Sequence, residues 1–299
     1  MNARQIEVFR TIMRCGTLTA AAQALNVSQP ALSQLLLHAE DQLGFRLFQR
    51  LHGRLTPTPE ANLLFPEAER LHRDLEGFRR FAADLRHGKQ GALRLAASAP
   101  TALSFVPQAL ADFRIACPGV RVISYIVSMA VLTTMLDNGE ADLGVALNDT
   151  PQPLIQTERI GRSEVLCLLP QGHRLAAQPS IGPADLEGET LISYRPDSLQ
   201  GVMLAEAFAE AGTRYLPQVE IDVSIAAIGF VQQGLGVALV DALVPWSGFQ
   251  DLVTRRFLPQ QTLPISLLFS TRRPLSTTQN VLRRKLREAG SRYTPHLPS

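Results

Sequence analysis

Residues 17–44, TLTAAAQALNVSQPALSQLLLHAEDQLG, decide how the N-terminal part of this 299-residue chain folds. Thr17 or Thr19 can cap a short alanine-rich helix, and Ser28 can cap a second, longer one. Asn26 lies between them, and asparagine tolerates the left-handed backbone that a tight turn between helices often needs. Two short helices joined by such a turn predict a helix-turn-helix motif.

The helix after Ser28 has the features of a recognition helix. Pro30 falls in its first turn, where a missing backbone N–H is harmless, and Gly44 ends it. Three leucines supply inward-facing anchors: Leu32, Leu35 and Leu36. The residues predicted to contact DNA from its N-terminal part are Ser28, Gln29, Pro30, Ser33 and Gln34. Glutamine can bridge adenine N6 and N7, serine can bond a base or a phosphate, and proline can contact a thymine methyl.

The flanking segments complete a winged helix-turn-helix domain. Residues 3–15 repeat apolar side chains at helical spacing, and Gly16 ends that helix. Polar and apolar residues alternate around 52–53, which predicts a small β-hairpin, the wing. Arg50 and Arg54 flank its tip and are predicted to reach phosphates or the minor groove. Solvated loop arginines are the alternative interpretation.

A connecting helix is predicted over residues 60–86. Its apolar residues follow one another at alternating spacings of four and three: Leu64, Ala68, Leu71, Leu75, Phe78, Ala82 and Leu85. This a/d seam predicts a dimerisation helix, and an amphipathic helix packed on its own domain is the alternative. Pro66 marks a position where the helix either starts or kinks. A dimer would present two recognition helices to two half-sites related by two-fold symmetry.

Beyond a polar, glycine-containing hinge at 87–91, strands and helices alternate. A first lobe is predicted from strands ALRLAAS, VRVISYIV and ADLGVAL, with helices over 103–116 and 131–139 between them. A second lobe has helices near 199–211 and 225–234 and the strands EVLCLLP, TLIS, 218–222 and VALV. PISLLFS returns to the first lobe, and an amphipathic helix closes the chain. This order implies an open, mainly parallel α/β sheet.

Ligands of open α/β sheets bind outside the carboxyl ends of strands, often at helix N-termini. The candidate effector-binding residues at such places are Ser98, Thr101, Ser128, Asn148, Tyr194, Arg195 and Ser224. Hydroxyls beside helix N-termini favour an anion, often a carboxylate, and Arg195 can pair with one. Asn148 and Asp149 can meet an amine. Simple helix capping is the alternative for the serines, and a surface position for Arg195.

Composition excludes several classes of protein. The chain is 45% hydrophobic and 19% charged with a net charge of +2, which is ordinary for a globular protein. Residues 1–90 hold 12 basic against 9 acidic residues, too weak a bias to establish DNA binding alone. Cys15, Cys117 and Cys167 suggest neither a disulfide framework nor a metal site, and no cofactor is predicted. The opening residues predict no signal peptide and the chain no membrane span, so the expected location is the cytoplasm.

The sequence also lacks the common motifs of enzyme active sites. The six histidines form no close pair at metal-ligand spacing, and GxSxG, P-loop and HExxH motifs do not occur. His173 is a lone candidate for which a surface turn is the expected setting, so no catalytic or metal-binding residue is predicted. A solute-binding protein without a regulatory role, cytoplasmic or exported, would share the C-terminal fold and is the alternative function.

Residues 9–61 resemble the DNA-binding domain of LysR-type transcriptional regulators, through the strings SQPALS and LTPT above all. Over about 92–290, LDNGEADLGVAL and IAAIGFVQQGLGVALV are similar to the family's two-lobed, periplasmic-binding-protein-like effector domain. Gln34 stands where the family often has arginine, and Asn62 where it often has glycine. The segment that begins at Ser98 resembles the corresponding segment of LysR-type regulators that sense amino acids or opines.

This resemblance implies three parts: a DNA-binding domain over 1–59, a linker and dimerisation helix over 60–87, and an effector-binding domain over 88–299. The expected function is transcriptional regulation controlled by a small-molecule effector, a carboxylate or an amino-acid derivative. The expected partners are a double-stranded DNA operator, RNA polymerase and further copies of the chain in a homodimer or homotetramer.

Overall fold

The computed structural model describes residues 1–51, 54–87 and 92–293. The chain forms two compact units, Met1–Arg86 and His87–Ser299. Within the described residues, no helix is long and apolar enough to cross a membrane, and no cluster of side chains is suited to hold a metal ion.

Three short helices open the first unit: α1 (Ala3–Cys15), α2 (Leu18–Ala24) and α3 (Gln29–Leu43). The cap of α2 is Thr17, whose side chain accepts a hydrogen bond from the Ala20 amide. The turn before α3 places Asn26 at a φ of 52°, in the left-handed region that the sequence predicted. The helix-turn-helix prediction is therefore confirmed down to its turn.

The core of the first unit forms around Phe9, which is fully buried. Its ring centroid lies 6.0 Å from that of Phe48 and 6.4 Å from that of Phe65. Small residues of α2, Ala21 and Ala22, are also buried and allow the helices to approach closely. The remaining core side chains of this cluster are Val8, Ile12, Leu32, Leu36, Leu47, Ala61 and Ala68.

The wing is a two-stranded hairpin of β1 (Phe48–Leu51) and β2 (Arg54–Pro57). A buried carboxylate of α3 holds its first strand in place. Glu40 accepts hydrogen bonds from the amides of Leu47 at 2.7 Å and Phe48 at 3.2 Å, and it forms an ion pair with Arg46. The recognition helix and the wing therefore share one buried anchor. The predicted tip, at 52–53, lies outside the described residues.

Helix α4 (Pro59–His87) passes through Pro66 without starting there, so the predicted start at that residue is wrong. The first two seam residues, Leu64 and Ala68, pack against the first unit's own core. Further along, Leu71 is 48% exposed and Phe78 67% exposed. The alternative of an amphipathic helix packed on its own domain thus describes only the beginning of α4. The Leu85 side chain lies outside the described part.

The first lobe of the second unit is a sheet with the strand order β4-β3-β5-β12-β6. Its strands are β3 (Ala92–Ala97), β4 (Arg121–Ile126), β5 (Leu143–Ala146), β6 (Ile155–Pro170) and β12 (Thr262–Ser270). Its helices are α5 (Ala99–Leu103), α6 (Val106–Ala116), α7 (Met129–Asp137) and α10 (Thr277–Arg292). The prediction of a single helix over 103–116 is wrong, because the helix is interrupted by a turn at Ser104–Phe105.

The two faces of this sheet carry different helices. Helices α6 and α10 pack on one face, against Leu95, Val145 and Leu267. Helix α7 packs on the other face, where Leu132 and Leu136 contact Leu268 of β12 and Gly144 of β5. The start of α7 consequently lies at the carboxyl ends of the parallel strands β3, β4 and β5.

The second lobe continues the sheet from the far half of β6. Its strands are β7 (Ser180–Ile181), β8 (Leu191–Tyr194), β9 (Val219–Ile221), β10 (Val237–Asp241) and β11 (Leu252–Phe257). Its helices are α8 (Leu199–Glu210) and α9 (Ala227–Gln232), the latter preceded by a 3-10 turn at Ser224–Ala226. Strands β8, β9 and β10 are parallel, whereas β6 and β12 run antiparallel to their neighbours and carry the chain between lobes.

Candidate functional site

The recognition helix presents its polar residues outward. Ser28 caps α3 by accepting a hydrogen bond from the Ala31 amide at 3.4 Å. Leu32 and Leu36 are buried and fix the orientation of the helix on the first unit's core. The residues on the outer side of its N-terminal part are exposed, apart from a half-buried serine: Ser28, Gln29, Pro30, Ser33 and Gln34. The predicted base-reading surface is therefore accessible to solvent.

Two of these residues, Gln29 and Ser33, are hydrogen-bonded to each other. The Gln29 Nε2 group donates to Ser33 Oγ at 2.9 Å, one helical turn away. Gln29 therefore retains its carbonyl oxygen as an acceptor, and Ser33 retains its hydroxyl proton as a donor. The pair can present one acceptor and one donor to a base edge, a pattern that fits the N6 donor and N7 acceptor of adenine.

The wing arginines lie on opposite faces of the hairpin. Arg50 is directly across from Leu55, which packs against the core, whereas Arg54 is across from the exposed Leu51. Side chains of directly paired residues share a face, and adjacent residues of a strand do not. Both arginines are exposed, and neither forms an ion pair within the described residues. Because they lie on opposite faces, the two arginines can bind two different phosphates, but they cannot both bind the same one.

In the second unit, Ser98 and Thr101 follow β3 as predicted. Thr101 is fully buried, and its hydroxyl donates to the carbonyls of Ser98 at 2.9 Å and Val145 at 3.2 Å. Its hydroxyl ties the turn before α5 to β5. Ser98 is half-buried and makes no side-chain capping bond, but its Oγ lies 3.2 Å from Thr101 Oγ1 and is hydrogen-bonded to it. Ser98 is therefore the more accessible of the two residues.

Two further predicted residues lie at neighbouring strand ends of the first lobe. Ser128 precedes α7 and makes no side-chain capping bond. Asn148 follows β5, and its Oδ1 accepts a hydrogen bond from the Thr150 amide at 2.6 Å. Asp149 forms an ion pair with Arg159 of β6. This edge of the first lobe is therefore rich in hydroxyl and amide groups.

The second-lobe candidates separate into an exposed and a buried group. Arg195 is half exposed and forms a bidentate pair with Asp197, and this hydrogen bonding raises the pKa of the guanidinium. Tyr194 and Ser224, by contrast, are buried and bond the same carboxylate, that of Asp241. The structure thus brings Tyr194 and Ser224 together but leaves Arg195 with a local partner.

Sequence reasoning missed Asp241, which is fully buried at the carboxyl end of β10. Its Oδ1 accepts from the Leu243 amide at 2.9 Å, and its backbone carbonyl accepts from Trp246 Nε1 at 2.8 Å. Burial raises the pKa of this carboxyl group, although the hydrogen bonds that it accepts oppose the rise. An acidic residue directly after the apolar run VALV was the signal available in the sequence.

The two lobes approach each other beside these residues. Helix α5, which begins after Ser98, lies next to the 3-10 turn at Ser224–Ala226. The strand-end hydroxyls of the first lobe therefore come close to the Asp241 cluster of the second, as expected for residues that border a shared cleft.

Two other residues that the sequence singled out, Cys167 and His173, are either buried or held by neighbouring residues. Cys167 is fully buried, which raises the pKa of its thiol and disfavours the reactive thiolate. His173 accepts a hydrogen bond from the Leu175 amide through Nδ1, and its Nε2 lies 3.3 Å from Glu189.

Both units match known families. Residues 3–62 match the family model described as "Bacterial regulatory helix-turn-helix protein, lysR family", and residues 86–291 match the "LysR substrate binding domain". Among solved structures, that of CbnR complexed with its target DNA has a TM-score of 0.72 at 20% identity, covering 97% of this chain and 100% of that one. A likeness at this identity supports the two-part fold.

Curated relatives agree over nearly the full length. NocR of Agrobacterium fabrum is 30% identical over 275 residues, which cover 92% of each chain. The transcriptional activator LysR of Escherichia coli is 33% identical, covering 92% of this chain and 89% of the relative. OccR of Rhizobium meliloti, an octopine catabolism/uptake operon regulatory protein, is 32% identical, covering 84% and 87%. These relatives are regulators rather than enzymes or solute carriers, and this chain belongs to the LysR family of DNA-binding transcriptional regulators, with an N-terminal helix-turn-helix and a C-terminal effector-binding domain.

Proposed function

We propose that this regulator responds to a zwitterionic amino-acid derivative bound between the two lobes of its second unit. The observation that carries the proposal is the contrast between the lobes. The first lobe offers hydrogen-bond donors, namely the Ser128 hydroxyl and the N-terminal amides of α7, which suit a carboxylate. The second lobe offers a buried carboxylate and the hydroxyls bonded to it.

The direction of the hydrogen bonds refines the role of Ser224. A serine hydroxyl has one proton, and Ser224 donates it to Asp241. The lone pairs that remain can only accept, so Ser224 suits the N–H groups of an ammonium or guanidinium rather than a second carboxylate. In this scheme Ser98, Ser128 and Asn148 contact the effector, whereas Thr101 and Tyr194 position the groups that do.

Arg195 fits this scheme only at the edge of the cleft. Its bidentate bond to Asp197 would have to open before it could accept a carboxylate of the effector. The similarity to OccR, whose name refers to octopine, supports an amino-acid-derived effector over an aromatic or simple aliphatic acid.

Helix α4 is the proposed dimerisation element. Leu71 and Phe78 expose large apolar side chains on one seam of a long helix, a pattern that a second copy of the same helix can cover. A dimer, alone or within a tetramer, would place two copies of α3 on a pseudo-palindromic operator in the cytoplasm. Effector binding would favour one lobe arrangement, shift the geometry of the subunits and so change the contact with RNA polymerase.

The test is isothermal titration calorimetry of the full-length protein with octopine and with the common L-amino acids, each matched by an analogue that lacks either the α-carboxylate or the α-amine. The proposal expects one zwitterion to bind and both truncated analogues to lose most of the affinity. Binding that survives removal of the amine would overturn the ammonium subsite. Full affinity of a Ser98→Ala variant would show that the effector binds elsewhere.

A further inference from the structure

Leu37 lies on the recognition helix, and its apolar side chain is not used by the core. Of the five leucines of α3, a helix that the structure describes in full, Leu37 is the one outside the core of the first unit. Leu32 and Leu36 are buried in that core, and the half-buried Leu35 and Leu43 pack against it. Leu37, by contrast, is 43% exposed. Packing within the first unit therefore does not account for a leucine at this position.

The helical repeat places Leu37 beside the residues predicted to read bases. With about 100° between successive residues, Leu37 lies about 40° around the helix from Ser33 and about 60° from Gln34. It lies about 140° from the buried Leu32, on the other side of the helix. Leu37 thus continues the outward surface of Ser33 and Gln34 by one further turn. Single exposed leucines are common on protein surfaces, so this position is the informative observation.

The thymine 5-methyl group is the feature of the major groove that fits an exposed leucine. The other base-edge groups that distinguish the four base pairs there are hydrogen-bond donors or acceptors. A leucine packed against them would displace their water without replacing the lost hydrogen bonds. Contact with a methyl group instead removes apolar surface of both partners from water, which is favourable. An apolar contact of this kind would complement the hydrogen bonds available to Gln29 and Ser33.

We propose that Leu37 is a specificity-determining residue of the recognition helix and selects thymine through its 5-methyl group. The inference rests on the proposed placement of α3 on the operator and adds to it an apolar contact. Leu37 is about 6 Å beyond Ser33 along the helix axis, which is the height of roughly two base pairs. Each half-site should therefore contain a thymine about two base pairs from the base that Ser33 contacts.

The experiment uses a duplex that the wild-type protein selects from random sequences. Each thymidine of one half-site is replaced in turn by deoxyuridine, which removes the methyl group and keeps the base pairing. Fluorescence anisotropy measures Kd for the wild type, Leu37→Ala and Leu37→Met. We expect one replacement to weaken wild-type binding about fourfold, the factor for burying one methyl group. Leu37→Ala should bind the thymidine duplex more weakly and the two duplexes equally, whereas Leu37→Met should retain most of the discrimination.

Leu63→Ala is the matched control. It shortens an apolar side chain of the same unit that is 80% exposed on α4, and it should keep the fourfold discrimination. Leu37→Ala should melt at the wild-type temperature, because the side chain lies outside the core and alanine favours helix. The discrimination should also be equal at two salt concentrations, although overall affinity falls with salt, because an uncharged contact releases no counterions.

The outcomes separate the role of Leu37 from the placement of α3. Equal wild-type affinity for every deoxyuridine duplex, or full discrimination retained by Leu37→Ala, overturns the role of Leu37 and leaves base reading by Ser33 and Gln34 in place. Wild-type affinity of Leu37→Ala for every duplex overturns it as well and would assign the exposed side chain to another partner, such as a protein surface. Failure of the wild type to select any duplex would contradict the placement of α3 itself.

Discussion

At the scale of single residues, the exposed polar groups were easier to predict than the buried ones. Ser28 and Thr17 could be assigned as caps because a cap bonds an amide only three residues away. Asp241 could not be joined to Tyr194 or Ser224, because its partners are 47 and 17 residues distant and only the sheet register brings them together.

The base-reading surface gives the first prediction. Gln34→Ala, and separately Ser33→Ala, should weaken binding to the operator by about 1–3 kcal/mol, because each removes a hydrogen-bonding group from the helix that enters the major groove. Fluorescence anisotropy with operator and scrambled duplexes at one salt concentration measures the effect. An equal loss on both duplexes would show that these residues do not read bases.

The buried carboxylate of Asp241 gives a prediction about pH. Its folded pKa is raised above the unfolded value of about 3.9, so the native state holds the proton more tightly. The stability that this group contributes is therefore present at low pH and is lost as pH rises through the folded pKa. Asp241→Asn removes the titration, so the unfolding free energy of the wild type, relative to the variant, should fall as pH rises above about 4.

Urea denaturation at a series of pH values measures that difference. Asp222→Asn, which alters an exposed carboxylate, serves as the control and should follow the wild type. A difference between the wild type and Asp241→Asn that stays constant with pH would contradict this account of Asp241.

At the scale of elements, the parallel strands were predicted well and the connecting strands poorly. The apolar runs of β3, β5, β8 and β10 are buried on both faces, which gives a clear pattern. The first half of β6, IQTERIGRS, and the strand β11, LVTRRF, carry charged residues on partly exposed faces and were not recognised. The break between α5 and α6 was missed because Pro107 is as acceptable at a helix start as it is disruptive within one.

Helix α4 supports a prediction about assembly. Leu71→Glu together with Phe78→Glu should convert the oligomer to monomer, because both side chains are exposed in the single chain and charges would have to be buried on association. Analytical ultracentrifugation measures the change. Leu63→Glu on the same helix, 80% exposed but outside the seam, should leave the assembly intact. A double variant that still associates would show that the seam is not the interface.

At the scale of the whole molecule, a DNA-reading unit and an effector-binding unit are joined in one chain. The sequence signals for the helix caps, the turn and the wing predicted the first unit closely. They could do so because the contacts of this unit are local in sequence. The lobes of the second unit could be predicted as a fold, but their ligand depends on residues that meet only through β6, β10 and β12. Family membership establishes regulation, whereas the class of effector is a proposal based on the chemistry of the cleft.

The most direct test of the central claim is selection of binding sites from random DNA duplexes by the full-length protein. A dimeric winged helix-turn-helix regulator should enrich a pseudo-palindromic sequence, with half-site centres separated by about one helical turn or a multiple of it. The selected duplex should also bind more tightly than its scrambled counterpart at the same salt concentration. No enrichment, or enrichment of a single unpaired half-site by an oligomeric protein, would contradict the account.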